Sequence, residues 1–319
     1  MRIFAHLLGP FCALRPAALL TVAVLLGGCA APLPPRPEVP YGQGTAWKLE
    51  KAGLEPSYVL GTMHVSDPEI VRLSPVLEEA FKSARQAAFE LLDDDEQQIY
   101  RKHRYLAAAL LPEDQSLEDL LATSSYAQLI RVARRQRPSP LMIGAHHISR
   151  FKPWFVMEVV GKTDPTTHHL DPQGTILDDW LERRARNQKK KVVGLESFEE
   201  QLAVMNGLSL ADQAALLTAY LDDYDQWYDY QTWAETYLRG DTAMFYGNWL
   251  QSLEDLEPEV AKRYAERFLD ERNRIMVERA LPLTEEDSTF IAVGALHLPG
   301  EQGILRLFEQ EGFTVTRLQ

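Results

Sequence analysis

Tyr58-Val59-Leu60-Gly61-Thr62-Met63-His64 is an apolar run that ends in Gly-x-x-His, and Phe290-Ile291-Ala292-Val293-Gly294-Ala295-Leu296-His297 repeats the pattern near the other end of the chain. Each copy has the length and the aromatic and β-branched content of a buried strand, followed by a glycine, two spacers and a histidine. One such four-residue pattern carries little information. Two copies, each directly behind a strand, predict that the strand ends meet and that His64 and His297 share a site. The glycine before each histidine lets the backbone turn and lets a ligand come close.

The neighbouring segments fall into a helix-and-strand rhythm. Trp47 to Glu50 and Ser57 to Leu60 read as a hairpin whose turn holds Gly53 and Pro56. Ser74 and Pro75 open a helix with Glu78 and Glu79 in its early turns, and Ile70, Leu73, Leu77, Phe81 and Ala84 give it one apolar face. Ala87 to Leu92 is a strand carrying Glu90, a carboxylate that needs a partner if it is buried. Ile176, Leu177, Trp180, Leu181 and Ala185 make a second amphipathic helix, and Lys191 to Glu196 a strand that again delivers an acid at its end. Phe313 to Leu318 closes the chain as a strand, behind a helix expected to begin near Pro299 to Glu301. The fold class that follows is α/β: a mixed β-sheet core flanked by helices, with large helical insertions at about 96–162 and 198–282. In the second insertion Arg272 and Asn273 continue an apolar face marked by Val260, Tyr264 and Phe268, which points Arg272 at a carboxylate of the site.

Composition narrows the function. Across 319 residues, 45% hydrophobic and 25% charged residues are ordinary globular values, and a net charge of -13 argues against a nucleic-acid partner. The basic run Arg183-Arg184-Ala185-Arg186 with Lys189 to Lys191 reads as the solvated back of a helix and its end. The N-terminus reads as an export signal over 1–28, with an apolar stretch from Pro16 to Leu26 too short for a permanent membrane span. It ends in Leu26-Gly27-Gly28-Cys29, which resembles a bacterial lipobox, so Cys29 is the expected lipidation site. Ala30 behind it favours the outer membrane, facing the periplasm. A proline-rich tether is assigned to 29–44, and the folded domain to 45–319. The two cysteines are Cys12 and Cys29, so the folded part has neither a disulfide nor a thiolate metal site nor a Cys nucleophile.

The polar residues at strand ends are thus His64, His297, Glu90 and Glu196. Imidazole and carboxylate without thiolate suit a divalent transition ion, which in a hydrolase activates water and polarises a carbonyl while a spare glutamate moves the proton. The sequence leaves open which glutamate is ligand and which is acid or base. His-Glu-x-x-His, Gly-x-Ser-x-Gly and dinucleotide glycine motifs are absent. The neighbouring pairs His146-His147 and His168-His169 point in different directions and make poor ligand pairs. Tyr220, Tyr224, Trp227 and Tyr228 share a helix face that reads as packing.

These residues carry a family resemblance. Leu60 to His64, Phe89-Glu90, Lys152-Pro153-Trp154, Val193 to Glu196, Glu199 to Leu202, Arg272-Asn273 and Val293 to Gly300 together resemble the TraB/PrgY/GumN family, to which the animal Tiki proteases are related. The resemblance implies an α/β core like that of haem-binding ChaN-like and erythromycin-esterase-like proteins. For the Tiki branch it implies a metal-dependent peptidase that uses both Gly-x-x-His motifs, with manganese or cobalt as supporting ion. The expected function is a lipid-anchored metallohydrolase of the cell envelope acting on a peptide or other small substrate. Its expected ion is Mn, Co or Zn, with His64, His297, Glu90 and Glu196 as ligand set and Glu90, Glu196, Arg272 and Asn273 as catalytic set. The alternative is an envelope binding protein that holds a peptide signal or haem-like ligand without turnover.

Overall fold

The structure, a computed structural model, describes residues 37–92, 97–135, 148–161, 174–222, 224 and 230–319. Among the described residues six strands form one mixed sheet: β1 (Ala46–Glu50), β2 (Ser57–Thr62), β3 (Gln86–Phe89), β4 (Lys191–Gly194), β5 (Thr289–Gly294) and β6 (Thr314–Arg317), in the order β4-β3-β5-β2-β1-β6. β4, β3, β5 and β2 run parallel, while β1 pairs antiparallel with both β2 and β6. The two Gly-x-x-His strands are therefore direct neighbours, with Thr62 opposite Gly294.

Strand alternation explains why the central strands are apolar without interruption. Phe290 and Ala292 of β5, with Ala87, Phe89 and Leu60, pack under Leu77 and Phe81 of the helix Pro75–Ser83 and Leu177 and Leu181 of the helix Leu177–Asn187. Ile291 and Val293, with Ala88 and Val59, face the other way onto Met276 and Ala280 of the helix Glu271–Glu286 and Ile304 and Phe308 of the helix Ile304–Gln310. A strand covered on both faces has no solvent side on which to place polar residues. The helices Gln98–Ala109, Pro153–Gly161, Phe198–Asn206 and Pro258–Ala265 pack on each other in a further apolar cluster that joins Tyr105, Trp154 and Phe155 to Phe198, Leu202 and Tyr264.

Several local expectations are modified. Ser74 precedes the first helix with extended backbone, but its hydroxyl makes no capping bond. Of the basic run, Arg183, Arg186 and Lys189 are exposed, whereas Arg184 is half-buried, bonded through two nitrogens to Glu78 and stacked on Trp180. The last helix starts at Ile304, because a 3₁₀ turn at Ala295–His297 and a left-handed Gly300 (φ +97°) come first. Tyr220 and Tyr224 meet edge to face and pack against the helical core, while Trp227 and Tyr228 lie outside the described residues. The same is true of both histidine pairs and of residues 1–36, including Cys29. From Pro40 on, within the stretch read as tether, the chain bonds to the domain: Pro40 O accepts from Gly300 N (2.9 Å) and Gly42 O from Ala243 N (2.8 Å).

Candidate active site

The parallel strands deliver their polar residues to one edge. Ladder bonds continue just past β3 and β4, where Glu90 N donates to Ala292 O (3.2 Å) and Glu196 N to Glu90 O (2.8 Å). This continuation holds the two glutamates side by side at the carboxyl end of the sheet. His64 follows β2 by two residues, and His297 ends the 3₁₀ turn behind β5. A Cβ on Gly61 would fall 2.6 Å from Leu298 Cδ1 and 2.9 Å from Ala295 Cα, so the absence of a side chain there lets the His297 turn lie against β2.

Arg272 ties the glutamates together. Its Nη2 donates to Glu90 Oε1 (2.5 Å) and to Glu196 Oε2 (2.7 Å), and its Nε to Glu196 Oε1 (2.9 Å). Gln201 Nε2 adds bonds to Glu90 Oε1 (2.9 Å) and Glu196 Oε2 (3.0 Å). All four side chains are buried. Burial is the largest single influence on Glu90 and would raise its pKa, but Arg272 and the other positive influences on it together outweigh burial and hold the carboxyl well below its ordinary range. Burial likewise works against the charge of Arg272, and the two carboxylates more than offset it, so its pKa lies above the ordinary value. Two carboxylates against one guanidinium leave a surplus negative charge. Its outlet is Glu90 Oε2, which accepts from Gly294 N (3.2 Å) and lies 3.8 Å from His297 Nε2.

Both imidazoles are gripped at Nδ1. His297 Nδ1 lies 2.6 Å from Asn273 Oδ1, while Asn273 Nδ2 donates to Gln302 O (2.7 Å). With the amide nitrogen so used, Asn273 presents its oxygen, the ring carries its proton on Nδ1, and Nε2 keeps a lone pair. Burial, and then the Arg272 charge, push the His297 pKa down to about 3, so the ring is neutral at physiological pH. His64 Nδ1 lies 3.0 Å from Asp178 Oδ2, and the other oxygen of Asp178 accepts from Thr62 Oγ1 (2.8 Å). The groups converge on Gly294: a Cβ placed there would be 3.5 Å from Glu90 Oε2, 3.5 Å from His297 Cδ2 and 3.6 Å from His64 Nε2.

All six strand-end and helix residues singled out in the sequence thus lie in one cluster. Two further members carried no assigned role. Gln201 stood in the Glu199 to Leu202 stretch without a function, and Asp178 was hidden beside Asp179 in a first helical turn, where acids are common. Their signal was the same in each case, a polar residue on a helix face that is otherwise buried. Among the described residues no group of three or more His, Cys, Asp or Glu side chains is set to hold a metal ion as it stands. The donor chemistry nevertheless fits one. One imidazole nitrogen, the edge of a second imidazole ring and a carboxylate oxygen border the space, or cradle, beside Gly294, and both glutamates and Arg272 together leave negative charge there.

The TraB/PrgY/gumN family profile matches residues 45–317. Metalloprotease TIKI2 of Xenopus tropicalis is 24% identical over 82% of this chain and 57% of its own length. Metalloprotease TIKI2 of Danio rerio and Metalloprotease TIKI1 of Homo sapiens are each 25% identical over 82% of this chain, with 58% and 59% of their own lengths covered. The chain therefore spans less than two thirds of these relatives. No solved structure matches it. With the family profile covering the sheet, both Gly-x-x-His segments and the helices between them, the chain belongs to the TraB/PrgY/gumN family.

Proposed function

We propose that the protein is a metal-dependent hydrolase that cleaves peptides, held in the cell envelope by a lipid on Cys29, on a fold of the ChaN and erythromycin-esterase type. The observation that carries this reading is the convergence of His64 Nε2, the His297 ring and Glu90 Oε2 on the space beside Gly294. His64 and His297 would hold the ion, with Glu90 as the nearest carboxylate. The kinship with proteins named metalloproteases supports the same chemistry. A bound Mn²⁺, Co²⁺ or Zn²⁺ supplies Lewis acidity toward a carbonyl oxygen and acidifies water.

The chain's own residues divide the remaining work. Glu196 gives both oxygens to Arg272 and Gln201, which makes it a buttress. Glu90 is held through Oε1 by Arg272 and Gln201, while Oε2, which accepts from the Gly294 amide, faces His297 and would take a proton from water. His297 is neutral and aimed, and Asn273 holds its ring. His64 is the most open member of the set, its side chain 22% exposed, so substrate reaches the cradle from its side.

The purified protein is expected to bind about one divalent ion and to cleave members of a peptide library in a chelator-sensitive way. His64→Ala and His297→Ala should each abolish ion uptake in a calorimetric titration; full retention by both would overturn the ligand assignment. No cleavage under any metal, together with tight retention of a peptide or haem-like ligand, would instead mark a binding protein. For the anchor, Cys29→Ser is expected to move the protein from the membrane fraction to the soluble fraction of an expressing bacterium. An unchanged membrane fraction would refute lipid attachment at Cys29.

A further inference from the structure

We infer that Asp178 is a positioning residue for His64: its carboxylate fixes the imidazole in the tautomer that aims an unprotonated Nε2 at the cradle beside Gly294. The inference rests on the reading of His64 as a working residue of this site. Asp178 belongs to the first turn of the helix Leu177–Asn187, where the helix N-terminus favours a negative side chain. It is fully buried. A buried carboxylate needs partners, and Asp178 finds two of them at the end of β2, accepting from Thr62 Oγ1 at 2.8 Å and meeting His64 Nδ1 at 3.0 Å.

A carboxylate can only accept, so Nδ1 of His64 is protonated, and in the neutral ring Nε2 is the nitrogen that carries the lone pair. That nitrogen is the one whose position lies 3.6 Å from a Cβ built on Gly294. Thr62 and His64 lie on the same strand end, so one carboxylate orients the ring and also locks the backbone that presents it. A buried Tyr237 completes the clamp by donating its hydroxyl to Gly61 O (2.8 Å), the glycine of the same Gly-x-x-His. The two histidines are thus aimed by different chemistry. His297 is held by the neutral amide of Asn273, whereas His64 is held by a charge, which raises the basicity of the ring as a donor to an ion.

The decisive substitution is Asp178→Asn, which keeps the shape. With Thr62 Oγ1 still donating to the side-chain oxygen, the new NH₂ group faces His64 Nδ1 and draws the proton to Nε2, closing the lone pair. Nitrogen-15 NMR of the ring in the full protein is expected to report protonated Nδ1 in the wild type and protonated Nε2 in Asp178→Asn. Calorimetric titration with Mn²⁺ or Co²⁺ is expected to show affinity roughly 10–100-fold weaker in the variant, with an unchanged circular dichroism spectrum. A purely structural role predicts lower stability with the same tautomer and the same affinity. Protonated Nε2 in the wild type, or an unchanged tautomer in a folded Asp178→Asn, would overturn the inference. Should the wild type take up no metal, the proposed hydrolase fails, while the ring measurement still decides the role of Asp178.

Discussion

Replacement of Arg272 by methionine is expected to destabilise the protein by about 3–5 kcal/mol at neutral pH, because it leaves Glu90 and Glu196 buried without their cation. The loss comes chiefly from stranding two charges. The salt bridge itself, once desolvation is counted, contributes far less. The pH dependence gives the sign. In the wild type the folded Glu90 pKa lies below the ordinary value of 4.5, so its contribution is in place above that value and disappears as pH falls through the folded pKa. In Arg272→Met, burial is left as the leading influence and raises the folded pKa above 4.5, which reverses the slope: stability is kept in acid and lost as pH rises. Urea unfolding between about pH 4 and pH 8 should therefore show the gap between the two proteins narrowing toward acid. A gap that is constant with pH would mean that Glu90 does not depend on Arg272 for its charge.

Gly294→Ala is expected to do the opposite, sparing stability while removing ion uptake. The added methyl group meets Glu90 Oε2, the His297 ring and His64 Nε2 at 3.5–3.6 Å, which is ordinary van der Waals contact, so the urea midpoint should hardly move. The methyl would occupy space bordered by Glu90 Oε2, the His297 ring edge and His64 Nε2, which an ion held by these residues would need. Affinity for Mn²⁺ or Co²⁺ should fall at least ~100-fold, and peptide cleavage with it, since blocking the cradle removes the ligands' common centre rather than one supporting contact. Wild-type ion affinity in a folded Gly294→Ala would show that any metal binds elsewhere. Together the two substitutions separate the charge cluster that holds the site in shape from the space in which the site works.

The features legible in the sequence are those written in local pattern. The apolar runs before Gly61 and Gly294 announced strands buried on both faces, and Arg272 announced an inward cation by interrupting the face of Tyr264 and Phe268. What could not be read depends on partners distant in sequence. Glu90 and Glu196 are the same residue type at equivalent strand ends, and only the side-by-side placement of β3 and β4 under Arg272 and Gln201 distinguishes the oxygen left facing His297. Asp178 stayed unseen because nothing in Leu177-Asp178-Asp179-Trp180 says which acid turns inward to Thr62. The start of the last helix was read too early, because a turn closed by Gly303 N donating to Gly300 O (3.0 Å) comes after Pro299, and Gly303 itself is the residue that precedes the first helical position.

The position of β5 has a consequence for the life history of the molecule. It is the strand that joins β3 to β2, yet its partner residue Ser57 lies 232 positions earlier than Thr289. The sheet therefore cannot close until β5 has been made, and contacts so far apart in sequence form slowly. Until that late strand slides between two earlier ones, His64 has no His297 and Glu90 has no Gly294 amide, so the cluster of strand-end residues is the last part of the sheet to come together.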